Sequence, residues 1–345
     1  MNFSSDNATG IAPDIMEALQ QANAGRAMAY GADDITTAAT ATIADLFERE
    51  VEVFPVLTGT AANALSLAAA VPPWGVTYCH RNAHIEEDEA GAPEFFTGGG
   101  KLALLDGPHG KFTAATLADA LATAPFGVEH HAQPAAVSIT QASEAGTCYT
   151  PDEIAQISAA AHKHELTVHM DGARFANAIA HLGCTPAEAT WRAGIDILSF
   201  GATKNGAMAA EAVIVFDEAR IRDLRFRRKR AGHLVSKMRF VSAQLLAYVR
   251  DDCWLRLARH ANSCAQKLAQ GLASIDGADL IHTVEANEIF IRLPEPVLEG
   301  MAADGVIFHR WLPAGPSVVR LVTAFDTEMS DIEGAIASAR RHAGA

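Results

Sequence analysis

Short apolar runs alternate along this chain with helical patterns of ten to fifteen residues, and this alternation limits the fold more than any single motif. Val51–Leu57, Gly75–Cys79, Lys101–Leu105, Ala135–Thr140, Leu166–Met170, Ile195–Phe200 and Ala212–Phe216 read as strands. Between them, Thr37–Glu50, Ala61–Ala70, Thr113–Thr123, Pro151–His164, Ala173–Leu182 and Pro186–Ala193 read as helices. Two of these helices carry the same start signal, a threonine followed by proline: Thr150 before Pro151, and Thr185 before Pro186. Strands alternating with helices form βαβ units, so the class expected is α/β with a mostly parallel sheet. The pattern changes after a long helical stretch from Leu234 to about Ile275. Leu280–Val284, Ile289–Leu293, Gly305–His309 and Val318–Val322 then read as strands, and Asp331–Ala343 as a closing helix. The expected division is a large α/β domain over residues 1–245 and a small α+β domain over 246–345.

Composition removes several classes of function. Of 345 residues, 49% are hydrophobic and 20% charged, which is ordinary globular usage. A formal net charge of -14 argues against nucleic acid and anionic membrane as partners. No apolar run reaches the length of a membrane span, and Met1–Asp6 lacks the pattern of a secretory signal. The five cysteines are odd in number, scattered and without a C-x-x-C pair, as expected of reduced thiols in a cytoplasmic protein. His130 and His131 fall in a loop, while His162 and His164 point to different faces of one helix, so no metal site is expected.

The chemistry gathers at the carboxyl ends of the strands, where open α/β sheets bind ligands. Lys204 follows the run Ile195–Phe200 within "GATKNG", in a turn of small residues. A lysine in a dry site becomes a nucleophile; on its own it is an ordinary loop residue. Asp171 ends the run in "LTVHMDGAR", and a buried carboxylate there needs a cation or a helix to cap. The protonated ring nitrogen of pyridoxal phosphate is one such cation. In "FPVLTGTAAN", Thr58, Gly59 and Thr60 leave backbone N–H groups at a helix start, which suits a single phosphate. That turn is neither a dinucleotide fingerprint nor a Walker loop. His84 follows a strand and precedes the acidic stretch Glu86–Glu89; it can lie on a pyridinium ring or hold a structural hydrogen bond, and His80 competes for the role.

Taken together, "FSSDNATG", "AYGADD", "TGTAAN", "AHIEEDEAG", "HMDGARFANA", "SFGATKNG" and "VVRLVTAFD" resemble the threonine aldolases over nearly the whole chain. The nearest branch is the low-specificity L-threonine (phenylserine) aldolases. The resemblance implies the aspartate-aminotransferase-like fold (fold type I) of pyridoxal-phosphate-dependent transferases, with pyridoxal 5'-phosphate as cofactor. It implies cleavage of L-threonine, L-allo-threonine or L-phenylserine to glycine and an aldehyde. It also implies a homo-oligomer, dimer or tetramer, with shared active sites.

By the same resemblance, Lys204 matches the Schiff-base lysine, Asp171 the partner of the ring nitrogen, and His84 the histidine stacked on the ring. Gly59 and Thr60 match the phosphate loop, and Lys229, in the basic run Arg220–His233, a residue reaching a neighbouring subunit's phosphate. Arg174 and Arg320 match arginines near cofactor and substrate, Arg320 being the better candidate for the substrate carboxylate. Ser5 matches a second carboxylate ligand, and Tyr30 and Glu89 fall in family motifs. Many family members place a histidine in the loop after Ala135–Thr140. Here "TQASEAGT" puts Ser143 and Glu144 in its place, so Glu144 and His84 both stand as candidates for the base. β-Elimination, racemisation and transamination on the same scaffold are the nearest alternatives.

Overall fold

The computed structural model describes residues 1–220 and 223–344 and resolves the alternation into a seven-stranded sheet. Its strands are β1 (Glu52–Val56), β2 (Gly75–His80), β3 (Lys101–Leu105), β4 (Gln133–Thr140), β5 (Thr167–Gly172), β6 (Ile197–Gly201) and β7 (Glu211–Val215). Their order is β1-β7-β6-β5-β4-β2-β3. The pairs from β3 to β6 are parallel, and β7 alone runs against both neighbours. Helices cover both faces of the central strands, so β5, β6 and β7 are buried at every residue, as their unbroken apolar runs require. Edge strand β3 is partly exposed.

The tail forms an antiparallel four-stranded sheet of β8 (Asp279–Leu280), β9 (Glu288–Arg292), β10 (His309–Arg310) and β11 (Val318–Val322), in the order β10-β11-β9-β8. Two cores result. One gathers Phe47, Phe175, Phe200, Tyr248 and Trp254 under the large sheet. The other packs Leu268, Leu272, Ile289, Ile291 and Leu321 under the small one. Helix Cys253–Ala273 contributes to both cores. The N-terminus belongs to the second core: Phe3 is fully buried there, its N–H donates to Ile307 O at 2.8 Å and its carbonyl accepts from Val322 N–H at 2.8 Å. This pinning carries Ser5 and Asp6 to the junction of the two sheets.

Several local expectations fail for identifiable reasons. Thr185 and Glu188 form the reciprocal cap expected of a helix start, yet residues 186–190 only turn, and a 3-10 turn Trp191–Ala193 follows. The Thr190 hydroxyl bonds back to Pro186 O, and Trp191 Nε1 donates to Phe47 O at 2.7 Å, which fixes the chain in that bend. Thr150, with the same signal, does cap Pro151–His162, through a full capping box with Glu153. The long helix expected from Leu234 is broken into Arg239–Val249 and Cys253–Ala273, because Asp251 and Asp252 both take left-handed backbone at φ +53°. The runs Leu280–Val284 and Gly305–His309 shrink to the two-residue strands β8 and β10. Helices Pro13–Ala22 and Glu295–Ala303 were not anticipated, although each has proline in its first turn. The basic run is interrupted by residues 221 and 222, outside the described set, and continues as helix Leu224–Arg230. All five cysteines are free thiols, and among the described residues no helix is long and apolar enough to cross a membrane.

Candidate active site

Strands β5 and β6 are neighbours, with Asp171 in register with Ser199 and Gly172 with Phe200. Their carboxyl ends therefore bring Asp171 and the turn Thr203–Asn205 to one edge of the sheet. Two glycines make this possible. A Cβ on Gly201 would stand 2.6 Å from Ala173 O, so only glycine lets the segment after β5 pack so closely on β6. Gly206 closes the lysine turn at φ +108°, a backbone state that side-chain-bearing residues avoid. A cavity of about 380 Å³ lies at this edge, lined by Gly59, Thr60, His84, Glu144, Asp171, Arg174 and Lys204 among others. With Thr58, eight of the residues singled out from sequence thus meet in one place.

At one end of the cavity Asp171 is 3% exposed. Its Oδ2 accepts from Asn63 Nδ2 at 2.8 Å and its Oδ1 from Ala173 N–H at 3.0 Å. It caps the turn into helix Phe175–Leu182, yet among the described residues no lysine or arginine pairs with it. Asn63 also donates to Glu89 Oε1 at 2.8 Å, and the same oxygen meets His84 Nδ1 at 2.9 Å. This Asp171–Asn63–Glu89–His84 relay fixes the imidazole. The hydrogen bond that Glu89 accepts raises the His84 pKa from its ordinary value, and burial pushes the Glu89 carboxyl up. His80 takes no part: its ring meets Gly107 O at 3.1 Å.

Helix Gly59–Ala70 begins at the cavity wall, with the Thr58 side chain accepting from Ala61 N–H at 3.2 Å. The first amides of any helix lack intrahelical acceptors, so Gly59 and Thr60 offer N–H groups at the positive end of the dipole. Lys204 is half-buried beside them and has no hydrogen bond or ion pair among the described residues.

Glu144, in the loop after β4, lies in the cavity. Its Oε1 accepts from His84 N–H at 2.7 Å, while its buried Oε2 has no partner among the described residues. Burial pushes its carboxyl up to about 7, against the pull of the His84 amide.

At the opposite end, Arg174 is enclosed by carboxylates. Its Nε donates to Asp6 Oδ2 at 2.8 Å and its Nη2 to Asp6 Oδ1 at 3.2 Å, while Nη1 lies 3.0 Å from Glu288 Oε2. Burial opposes the Asp6 charge, but Arg174 and Lys204 outweigh it and hold that carboxyl below its ordinary value. Burial wins at Glu288, whose carboxyl is raised despite Arg174 and Arg320.

Arg320, on β11, is half-buried with its guanidinium 5.5 Å over the Trp311 ring. Its Nη2 reaches Ser4 O at 3.5 Å, and its buried Nε has no partner among the described residues. Ser5 stands next to Asp6, its hydroxyl accepting from Asn7 N–H at 3.1 Å. Tyr30 and Lys229 meet each other, the ammonium 5.0 Å from the ring centroid; these two, like Ser5 and Arg320, are not among the residues that line this cavity. Asn63, Asp6 and Glu288 were missed from sequence. Asn63 and Asp6 stand inside quoted motifs, "TGTAAN" and "FSSDNATG", whereas Glu288 sits in a tail strand with nothing to mark it.

A family profile for beta-eliminating lyases matches residues 2–295. The low specificity L-threonine aldolase of Pseudomonas aeruginosa is 44% identical over 331 residues, spanning 96% of this chain and 94% of that protein. Among solved structures, a Leishmania major threonine aldolase superposes with a TM-score of 0.93 at 28% identity, covering 99% of each chain. An aspartate aminotransferase of Rhodobacter sphaeroides shares the fold, with a TM-score of 0.68 at 17% identity over 100% of this chain and 92% of that one.

Proposed function

The chain belongs to the beta-eliminating lyase family and, within it, to the low-specificity L-threonine aldolases, and from that premise we propose how its cavity performs their reaction. The fold is that of pyridoxal-phosphate enzymes of the aspartate-aminotransferase type, and the activity is retro-aldol cleavage of β-hydroxy-α-amino acids by a carbon–carbon lyase. L-Threonine, L-allo-threonine and L-phenylserine are the substrates we assign, with glycine and the matching aldehyde as products.

One observation carries the assignment of residues. A buried carboxylate, Asp171, and an amine, Lys204, line one cavity, and neither has an ionic partner among the described residues. Burying an uncompensated charge is costly, so such a pair fits a ligand that brings a cation to one and a reactive carbonyl to the other. Pyridoxal phosphate meets both needs and adds a phosphate suited to the Gly59 and Thr60 amides. When bound, it supplies a sink for the electrons of the broken Cα–Cβ bond.

The remaining work falls to the chain. Asp171 keeps a proton on the ring nitrogen, and Asn63 orients that carboxylate. Lys204 would be the residue that holds the cofactor's aldehyde. His84, fixed by Glu89, bears on the ring. Arg320, with Ser5, would take the substrate carboxylate and so fix the direction of the Cα–Cβ bond. Glu144 accepts the β-hydroxyl proton through its unpaired Oε2, with His84 the other candidate. A carboxyl titrating near neutrality suits a group that must both take and return a proton.

Tyr30 and Lys229 are assigned to the neighbouring subunit's site in a dimer or tetramer. Their pairing on an exposed face, away from this chain's own cavity, supports that assignment. Five free thiols support a cytoplasmic setting.

The test is to mix the protein with pyridoxal phosphate and L-threonine or L-phenylserine and to measure acetaldehyde or benzaldehyde. Aldehyde in equal amount to glycine is the expected result. Ammonia with a keto acid, or racemised substrate without aldehyde, would replace this reading with elimination or racemisation.

A further inference from the structure

Glu211 opens β7, the strand that runs against both β6 and β1, and pairs in register with Gly201 on one side and Val56 on the other. The antiparallel direction puts its first residue at the carboxyl ends of those neighbours, on the cavity wall. It is 6% exposed, and burying a carboxylate demands compensation. Part of that compensation comes from the segment leading into the lysine turn. Oε2 accepts from Ala202 N–H at 3.2 Å and Oε1 from Thr203 N–H at 3.3 Å. The Thr203 hydroxyl in turn accepts from Ala210 N–H at 3.2 Å, so the turn is tied to Glu211 and to the residue just before β7. Neither the aldol reaction nor cofactor binding, as described above, uses this side chain.

We propose that Glu211 is a positioning residue for Lys204: its two carboxylate oxygens anchor the turn that presents the lysine, and its charge sets how readily the lysine nitrogen holds a proton. The inference rests on the reading of Lys204 as the point of cofactor attachment. Lys204 and Glu211 line the same cavity, and the Lys204 charge pulls on the Glu211 carboxyl. The other groups that feel Lys204 are Asp6, His84 and Glu288; Tyr248 is the other titratable group that feels Glu211. Burial pushes the Glu211 carboxyl up to about 7, against the pull of Thr203, Lys204 and the Ala202 amide. Its charge therefore changes within the working range of a neutral-pH enzyme, and an ionised Glu211 favours the protonated form of the nitrogen at Lys204.

The experiment loads the full chain with pyridoxal phosphate and follows its visible absorbance between pH 5 and 10, which reports the proton on the lysine-bound nitrogen independently of turnover. Glu211→Gln keeps the shape and removes the charge; Glu211→Asp keeps the charge and shortens the reach. The Gln variant is expected to titrate at a midpoint lower than wild type by about 0.5 unit or more, the sign expected when a nearby anion is removed. The Asp variant is expected to stay near the wild-type midpoint but to load the cofactor more slowly. A Gln midpoint equal to wild type, or an Asp midpoint displaced as far as that of Gln, overturns the inference. Wild-type protein that develops no visible band overturns the underlying reading as well, which distinguishes the two failures.

Discussion

The two ends of the cavity handle charge in opposite ways. At the cofactor end, Asp171 and Lys204 are held close by β5 and β6 and left without ionic partners among the described residues. At the end proposed to take the substrate, Arg174 is already gripped by Asp6 and Glu288. One end awaits charges from a ligand and the other is neutralised in advance. A residue that matches a family motif therefore need not be free to bind. Arg174 reads from sequence as a ligand-facing arginine, yet its guanidinium is occupied by the chain itself, and Arg320, with a buried unpaired Nε, is the freer of the two.

The contrast breaks most completely at Lys204. Lys204→Ala is expected to reduce aldehyde release to background and to let pyridoxal phosphate dialyse away; substantial turnover in that variant would remove the lysine from the mechanism. Next comes the base. Glu144→Gln is expected to lower kcat by about 10²–10⁴, the range for a positioned acid–base group. In wild type the rate should rise with pH through about 7, because a base must be ionised, and that limb should vanish in the variant. If His84→Asn loses as much while Glu144→Gln stays near normal, the imidazole is the acceptor.

The two arginines sharpen the comparison. Arg320→Ala should raise KM by about 10–100-fold, as for a lost charged hydrogen bond, with the fold intact. Arg174→Ala should instead act on stability, losing about 3–5 kcal/mol in chemical denaturation because two buried carboxylates lose their cation. Equal effects on KM with no loss of stability would show both ends to be ligand-facing.

The smallest effect concerns acid. The folded-state pKa of both Glu144 and Glu211 is raised to about 7, so the folded state binds those protons more tightly than the unfolded chain. Their contribution is complete below the ordinary glutamate range, about 4.3, and is lost as pH rises through about 7. The melting temperature of cofactor-free protein should therefore fall across that interval, and the slope should flatten when both are glutamine.

Most of the large sheet was legible because parallel strands buried on both faces are written as unbroken apolar runs, and because capped helices announce their starts. Asp171, Lys204, His84 and the Thr58–Thr60 turn were legible as local strings at strand ends. The residues that complete the site were not. Asn63, Asp6 and Glu288 reach it through packing that joins positions far apart in sequence, and such contacts leave no local pattern. Glu211 was hidden for a different reason: the direction of β7, which decides whether its first residue faces the cavity, is fixed by pairing and not by composition. Thr185 shows the reverse case, a valid cap signal overridden by the local bond of Thr190 to Pro186 and the tertiary contact of Trp191 with Phe47.

The most direct measurement is to reduce the cofactor-loaded protein with borohydride and to locate the added mass by peptide mapping. The pyridoxyl group should sit on the peptide containing Lys204, with the yellow colour bleached. A label on any other lysine, or none in a preparation that still releases aldehyde, would contradict the pairing of Asp171 and Lys204 as the seat of the chemistry.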